Sequence, residues 1–214
     1  MRQLILDIRP DSPPDFDNFL PGPNAEAWNL VREHAEGLVR EPIVYLWGEA
    51  GTGKSHLLAA WSAITQACRS VPLPEPPVVW LAVDDADRLS PDDQIRFFNL
   101  INAAREGRGK VLAAGPLPPG QLGLRADLAT RLAQGLVFRL APLSDADKIS
   151  AIYTLAEARG MRLPEEVARY LLTHCRRDLP NLLALVDALD ALSLSRKRPA
   201  SLPLLKEILQ APQP

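Results

Sequence analysis

The residues best placed to do chemistry lie in one short stretch, GEAGTGKS at 48–55, in which Gly48, Gly53, Lys54 and Ser55 satisfy the pattern G-x-x-x-x-G-K-[ST]. Backbone N–H groups from Ala50 through Gly51, Thr52 and Gly53 to Ser55 can turn into one concavity at a helix start. There, dipole and hydrogen bonds together hold phosphate oxygens. Lys54 is expected to reach the β- and γ-phosphates of ATP or ADP, and the Ser55 hydroxyl to ligate Mg2+. His56, next along, is expected to border the same nucleotide. A second pair, Asp84 and Asp85, follows the apolar run VVWLAV. At the carboxyl end of a strand, Asp84 would hold Mg2+ through water and Asp85 would orient or deprotonate an attacking water. The competing reading makes the two aspartates ordinary strand-end turn residues.

These residues need a scaffold of strand, loop and helix, and the chain supplies one. IVYLWG (43–48) is a continuous apolar run ending in glycine, and KSHLLAAWSAITQAC (54–68) reads as the helix behind it. PVVWLAVDDADRLS (77–90), KVLAAGPLPP (110–119) and LVFRLAPLS (136–144) read as three more strands, with an amphipathic helix, DDQIRFFNLINAAREG, before Gly107. An earlier helix is expected over 25–40, its apolar face formed by Trp28, Val31, Ala35, Leu38 and Val39. Alternating strands and helices predict an α/β fold, a parallel sheet covered on both faces. After Pro142 the strand signals cease. Ser144 and Asp147 form a capping-box pattern, and segments near 164–175, 180–194 and 202–210 continue as helices. The expected organisation is a tail (1–15), a nucleotide-binding base (16–141) and a small all-helical lid (142–214). The helical part would either gate the nucleotide or only complete a core.

Composition excludes several classes. Hydrophobic residues are 47% and charged residues 23% of the 214, and no apolar run approaches the ~20 residues a bilayer span needs. Asp7 and the prolines after it interrupt any signal peptide, so cytoplasmic residence is expected. The net charge of −2 gives no global attraction to nucleic acid. The one basic run, SRKRP (195–199), reads as a solvated loop rather than a DNA contact. Little direct DNA binding and no membrane contact are therefore expected. Cys68 and Cys175, each in an apolar helical pattern, are expected to be buried free thiols.

FDNFLPGPNAEAW (16–28), YLWGEAGTGKSHLL (45–58), VDDADRL (83–89), DLATRL (127–132) and PLSDADK (142–148) together resemble the DnaA/Hda family of AAA+ proteins, its shorter Hda-type members most of all. The resemblance runs along nearly the whole chain. It implies a P-loop AAA+ base with a helical lid, Leu20 against the adenine, and Arg131 as an arginine finger in a neighbouring subunit's active site. Without it, a surface salt bridge would be the reading of Arg131. It also implies that Gln3, Leu4 and Leu6 in QLILDI bind the DNA polymerase sliding clamp, an extended peptide seating apolar side chains in a pocket. Read alone, the same residues are a first strand or an inert tail. The implied partners are the initiator DnaA and the clamp, with homo-oligomers left open; ending at 214, the chain is expected to lack the initiator's DNA-binding domain.

Three departures from the family pattern carry weight. The stretch between Ser55 and Asp84 is too short for the usual further strand and helix, which predicts a sheet reduced to four strands, its edge defended by prolines at 72, 74, 76 and 77. Ala113, Ala114, Gly115 and Pro116 stand where a polar sensor contacts the γ-phosphate, and none carries a hydrogen-bonding side chain. Pro180 stands where a second sensor places an arginine, with Arg176 or Arg177 the nearby substitutes. The combined expectation is strong ADP binding with weak or absent intrinsic hydrolysis, in a regulator that stimulates hydrolysis by DnaA, with a non-hydrolysing adaptor or a helicase-loader-like ATPase as the alternatives.

Overall fold

The computed structural model describes residues 13–69, 72–74, 80–176 and 178–210. Gln3, Leu4, Leu6 and Arg177 lie outside the described residues. The chain forms two compact units, divided between Pro142 and Leu143.

The first unit is built around β1 (Ile43–Trp47), in which Ile43, Val44, Tyr45 and Leu46 are fully buried. Alternate side chains of such a strand enter opposite layers, which is why the run is apolar without a break. Ile43 and Tyr45 join the core under α3 (Pro91–Ala103) and α4 (Ala126–Ala133). Val44 and Leu46 join the core under α1 (Ala25–Ala35) and α2 (Lys54–Thr65). With β2 (Trp80–Val83), β3 (Lys110–Gly115) and β4 (Leu136–Arg139), β1 makes a four-stranded parallel sheet in the order β2-β3-β1-β4. The expected α/β sheet of four strands is thus what forms.

At the β2 edge the lost strand survives as one residue. Cys68 N–H donates to Trp80 O and Cys68 O accepts from Ala82 N–H, each at 3.0 Å, a single parallel bridge opposite Leu81. Further along, Leu73 is buried in the core, and its N–H donates to Asp93 Oδ1 at 2.9 Å. Asp93 also takes the Ser90 hydroxyl at 2.7 Å, and these two bonds hold its carboxyl below the usual range. A buried side chain and a buried carboxylate thus tie the segment after the bridge to α3 and to the core.

Several boundaries differ from expectation for local reasons. α1 stops at Ala35, not 40: Gly37, at φ 81, ends it with Leu38 N–H donating to Glu33 O and Gly37 N–H to His34 O, which throws Leu38 out to 70% exposure. α2 stops at Thr65 because Gln66 is left-handed, so Cys68 lies outside it. Cys175 follows the last turn of a helix, and both cysteines lie outside any disulfide and are half-buried rather than buried. Gly107, at φ 85, closes a wide π turn (Ala104–Arg108) after α3.

The second unit packs α5 (Asp145–Ala158), α6 (Glu165–His174), α7 (Leu179–Arg196) and α8 (Leu202–Gln210) around Ile152, Val167, Leu171, Leu182, Leu185 and Leu205. Ser144 and Asp147 close the full capping box that the sequence signals. Arg196 lengthens α7 into the basic run, where Lys197 is left-handed and Arg196, Lys197 and Arg198 are exposed.

Below β1, at the amino ends of the strands, His34 is wholly buried. Trp61 Nε1–H donates to its Nδ1 at 3.0 Å, and its Nε2 faces Pro42 O at 3.3 Å, so the neutral ring with the proton on Nε2 satisfies both. Burial, and then the nearby Lys110 ammonium, push its pKa down to about 4. A base with a depressed folded pKa gives stability that is present above its unfolded pKa of about 6.5 and lost as pH falls toward 4. The loss between pH 7.5 and 5 comes to about 2 kcal/mol. Asp93, Asp127 and Asp147, whose carboxyls are held low, lose theirs further down. All four tryptophans belong to this unit, so urea unfolding followed by their fluorescence should show the loss, and His34→Gln should flatten it. Equal wild-type stability at the two pH values would refute the assignment.

Candidate functional site

Parallel β1 and β3 finish side by side, with Trp47 paired to Gly115, and β1 continues into the glycine-rich loop. The connection from β1 runs to the β2 edge and the one from β3 to the β4 edge, so the crevice between these two carboxyl ends is where an open α/β sheet takes a ligand. α2 begins at Lys54 behind Gly53, which is left-handed at φ 95 and offers no side-chain cap. The first-turn N–H groups of Lys54, Ser55 and His56 are therefore available to an anion. Ala50, Gly51 and Ser55 are exposed, while Thr52 is buried and braces the loop by donating from Oγ1 to Glu49 O at 2.9 Å. Lys54 Nζ donates to Gly48 O at 2.7 Å and Glu49 O at 2.8 Å, which leaves the ammonium folded on the loop. Its burial lowers its pKa, against the opposing pull of the Asp84, Asp85 and Asp87 carboxylates.

Those carboxylates share the crevice. Val83 and Tyr45 both pair with Ala113, so Asp84 stands level with Leu46, and Asp85 with Trp47, at the foot of the loop. Asp84 is half-buried, and its Oδ1 accepts from Asp85 N–H at 3.0 Å. Asp85 is left-handed at φ 46, and its carboxylate meets Arg88 at 3.3 Å. The Ser55 hydroxyl and the Asp84 carboxylate are hard oxygen donors of the kind that hold Mg2+ when phosphate and water complete the octahedron. The described residues contain no cluster of three or more His, Cys, Asp or Glu that would cage a cation by themselves, so the donor set fits a metal shared with a phosphate ligand.

The leading segment packs onto this loop. Phe16 is buried, its carbonyl accepting from Trp28 Nε1–H at 3.1 Å. Phe19 covers Gly53 so closely that a Cβ on Gly53 would stand 2.6 Å from its ring. His56 lies 5.3 Å from the Phe19 ring, and its Nε2 contacts Asp15 O at 2.8 Å. Leu20 is half-buried one residue further on. Phe19, rather than Leu20, is the side chain seen on the phosphate loop, and it is legible in the sequence only as part of the leading motif.

The two places expected to lack polar sensors carry apolar residues in the structure as well. Ala113, Ala114 and Gly115 are buried, and a Cβ on Gly115 would overlap the Tyr45 hydroxyl, which donates to Leu117 O at 2.9 Å. Pro180 sits in the first turn of α7 behind the Asp178 cap, and Arg176 pairs with Asp178 at 3.3 Å. Arg131 lies on α4, away from the loop, with its guanidinium 6.0 Å over the Phe98 ring. It pairs with no carboxylate among the described residues, so the surface salt bridge is not what forms.

A family model, the Hda lid domain, matches residues 145–209. Domain III of the Thermotoga maritima replication initiation protein DnaA superposes at a TM-score of 0.72 with 22% identity, over 96% of this chain and 100% of that one. AMPPCP-bound DnaA from Aquifex aeolicus matches at 0.70 and 22%, over 90% of this chain and 70% of that one. A point variant of Thermotoga maritima RuvB matches at 0.67 and 16%, over 95% of this chain and 72% of that one. The fold is that of a P-loop AAA+ module with a helical lid. Residues 145–209 are similar to an Hda lid domain, and the base shares its fold with domain III of DnaA.

Gly53→Ala tests the loop geometry, because it meets both a left-handed backbone and the Phe19 ring. It should cost about 1–2 kcal/mol, and the cost should shrink in a Phe19→Ala background by the steric share. Equal costs in the two backgrounds, read from denaturant midpoints, would show that Phe19 does not press on the loop.

Proposed function

We propose that this protein is a nucleotide-binding regulator of bacterial replication initiation, which stimulates ATP hydrolysis by the initiator DnaA while docked on the sliding clamp. What carries the reading is a contrast. The phosphate loop and Asp84 are intact, both sensor positions are apolar, and a cation without a carboxylate partner among the described residues stands apart from the loop on α4.

In this reading ADP or ATP lies in the loop, held by the N–H groups of residues 50–56 and by Lys54, which leaves the Gly48 and Glu49 carbonyls to meet the phosphates. Ser55 and Asp84 would hold Mg2+, which would supply positive charge against the phosphates. Asp85 is the candidate to orient water, but Arg88 and the left-handed backbone hold it. With no polar group at Gly115 or Pro180, the chain has little to distinguish the transition state from the ground state, so its own nucleotide is structural. Catalysis then occurs in trans. Arg131 enters a neighbouring subunit's site and offsets the charge that develops as its γ-phosphoryl leaves. Gln3, Leu4 and Leu6 would dock on the clamp. Their support is the residue pattern alone.

Two outcomes are expected. Mg2+ and ADP at 100 times Kd should stabilise the protein by about 2.7 kcal/mol in a thermal melt; Lys54→Ala should remove that shift, and single-turnover phosphate release should stay slow. Release as fast as that of ordinary AAA+ enzymes would overturn the structural role of the nucleotide. With DnaA and clamp-loaded DNA, wild-type protein should stimulate hydrolysis, and Arg131→Ala should lose about 100-fold or more of that effect. No stimulation by either protein would point instead to a non-hydrolysing adaptor on an AAA+ body.

A further inference from the structure

A long arginine that must enter another subunit's site faces two conflicting needs. Free in solvent, it has side-chain rotamer entropy to lose when it docks. A carboxylate partner would order it, but would also cancel the charge it has to deliver. Helical spacing makes that capture the natural outcome here, since Asp127 and Arg131 are i and i+4 on α4.

The structure resolves the conflict with neighbouring side chains. Arg125, just before α4, takes Asp127 in a two-point pairing, Nε to Oδ1 at 3.2 Å and a terminal nitrogen to Oδ2 at 2.8 Å, and this pairing holds the Asp127 carboxyl below its usual range. Arg131 rests instead over the ring of Phe98, whose quadrupole attracts a cation without neutralising it. The π turn that follows α3 holds the other end: Arg105 donates to the Arg131 carbonyl at 3.4 Å and lies 3.9 Å from Glu41.

We infer that Phe98 is a positioning residue for Arg131, an aromatic shelf that pre-orders the guanidinium with its full charge, and that Arg125 protects this arrangement by occupying Asp127. The inference rests on the reading that Arg131 acts in trans on a nucleoside triphosphate held by a neighbouring AAA+ subunit. Phe98 itself touches no substrate. Its contribution is to the rate of the stimulated reaction and not to this chain's own nucleotide binding.

The test uses full-length protein in the stimulated hydrolysis assay with DnaA and clamp-loaded DNA. Phe98→Leu keeps an apolar side chain but removes the ring; it should lower maximal stimulation three- to tenfold, with half-maximal concentration and ADP binding unchanged. Phe98→Tyr and Phe98→Trp should restore stimulation, which a packing role alone would not require of both. Arg125→Gln should lower it too, by releasing Asp127 onto Arg131, and adding Asp127→Asn should recover it. Independently of activity, the ring-current shift on the Arg131 δ-methylene protons should vanish in Phe98→Leu. If Arg131→Ala abolishes stimulation while Phe98→Leu stimulates like wild type, the shelf is wrong and the arginine stands. If Arg131→Ala stimulates fully, the trans reading fails, and the shelf falls with it.

Discussion

Everything in the base depends on burying β1 from both sides. A parallel strand needs a crossover between each pair of neighbours, and the crossover helices must lie on the faces of the sheet. Because Ile43 and Tyr45 are committed to one layer and Val44 and Leu46 to the other, the carboxyl end of β1 is the place where the chain can leave the core without opening it. The glycine-rich loop leaves there, beside the end of β3 and the carboxylates that follow β2. The catalytic possibilities of the module follow from that confinement: whatever binds the loop must also meet what β2 and β3 present next to it.

What they present is unequal. β2 brings Asp84 and Asp85, whose charges reach Lys54. β3 brings a small-residue end, and Tyr45 fills the space beside Gly115 with a hydroxyl already given to Leu117 O. A side chain larger than glycine at that point would have to displace a buried, hydrogen-bonded phenol. A small residue at the end of β3 is thus built into the packing of β1 against β3.

The shortened region between α2 and β2 shows how a sheet tolerates the loss of an edge element. An exposed edge strand invites pairing with another chain. Here a single bridge at Cys68, the buried Leu73 and the Asp93 carboxylate that holds its N–H take the place of a strand. The prolines at 72 and 74 agree with this arrangement, because neither offers an N–H to a further ladder.

The glycine-rich loop, the four apolar strands and the Ser144 capping box are all legible in the sequence, because each is local: a fixed spacing or a period. The apolar period overextends α1, since Leu38 and Val39 continue it and only the left-handed Gly37 shows that the helix has already turned. The fate of Asp127 and Arg131 is not legible. Helical spacing pairs them; instead Arg125, two residues before Asp127, takes that carboxylate locally, and Phe98, from a different helix, underlies Arg131. The sequence by itself determined which groups stand at the loop and which polar groups are lacking. Only the tertiary structure decided which side chains hold, cover or neutralise one another, because those contacts join distant segments whose meeting depends on the packing of both layers against β1.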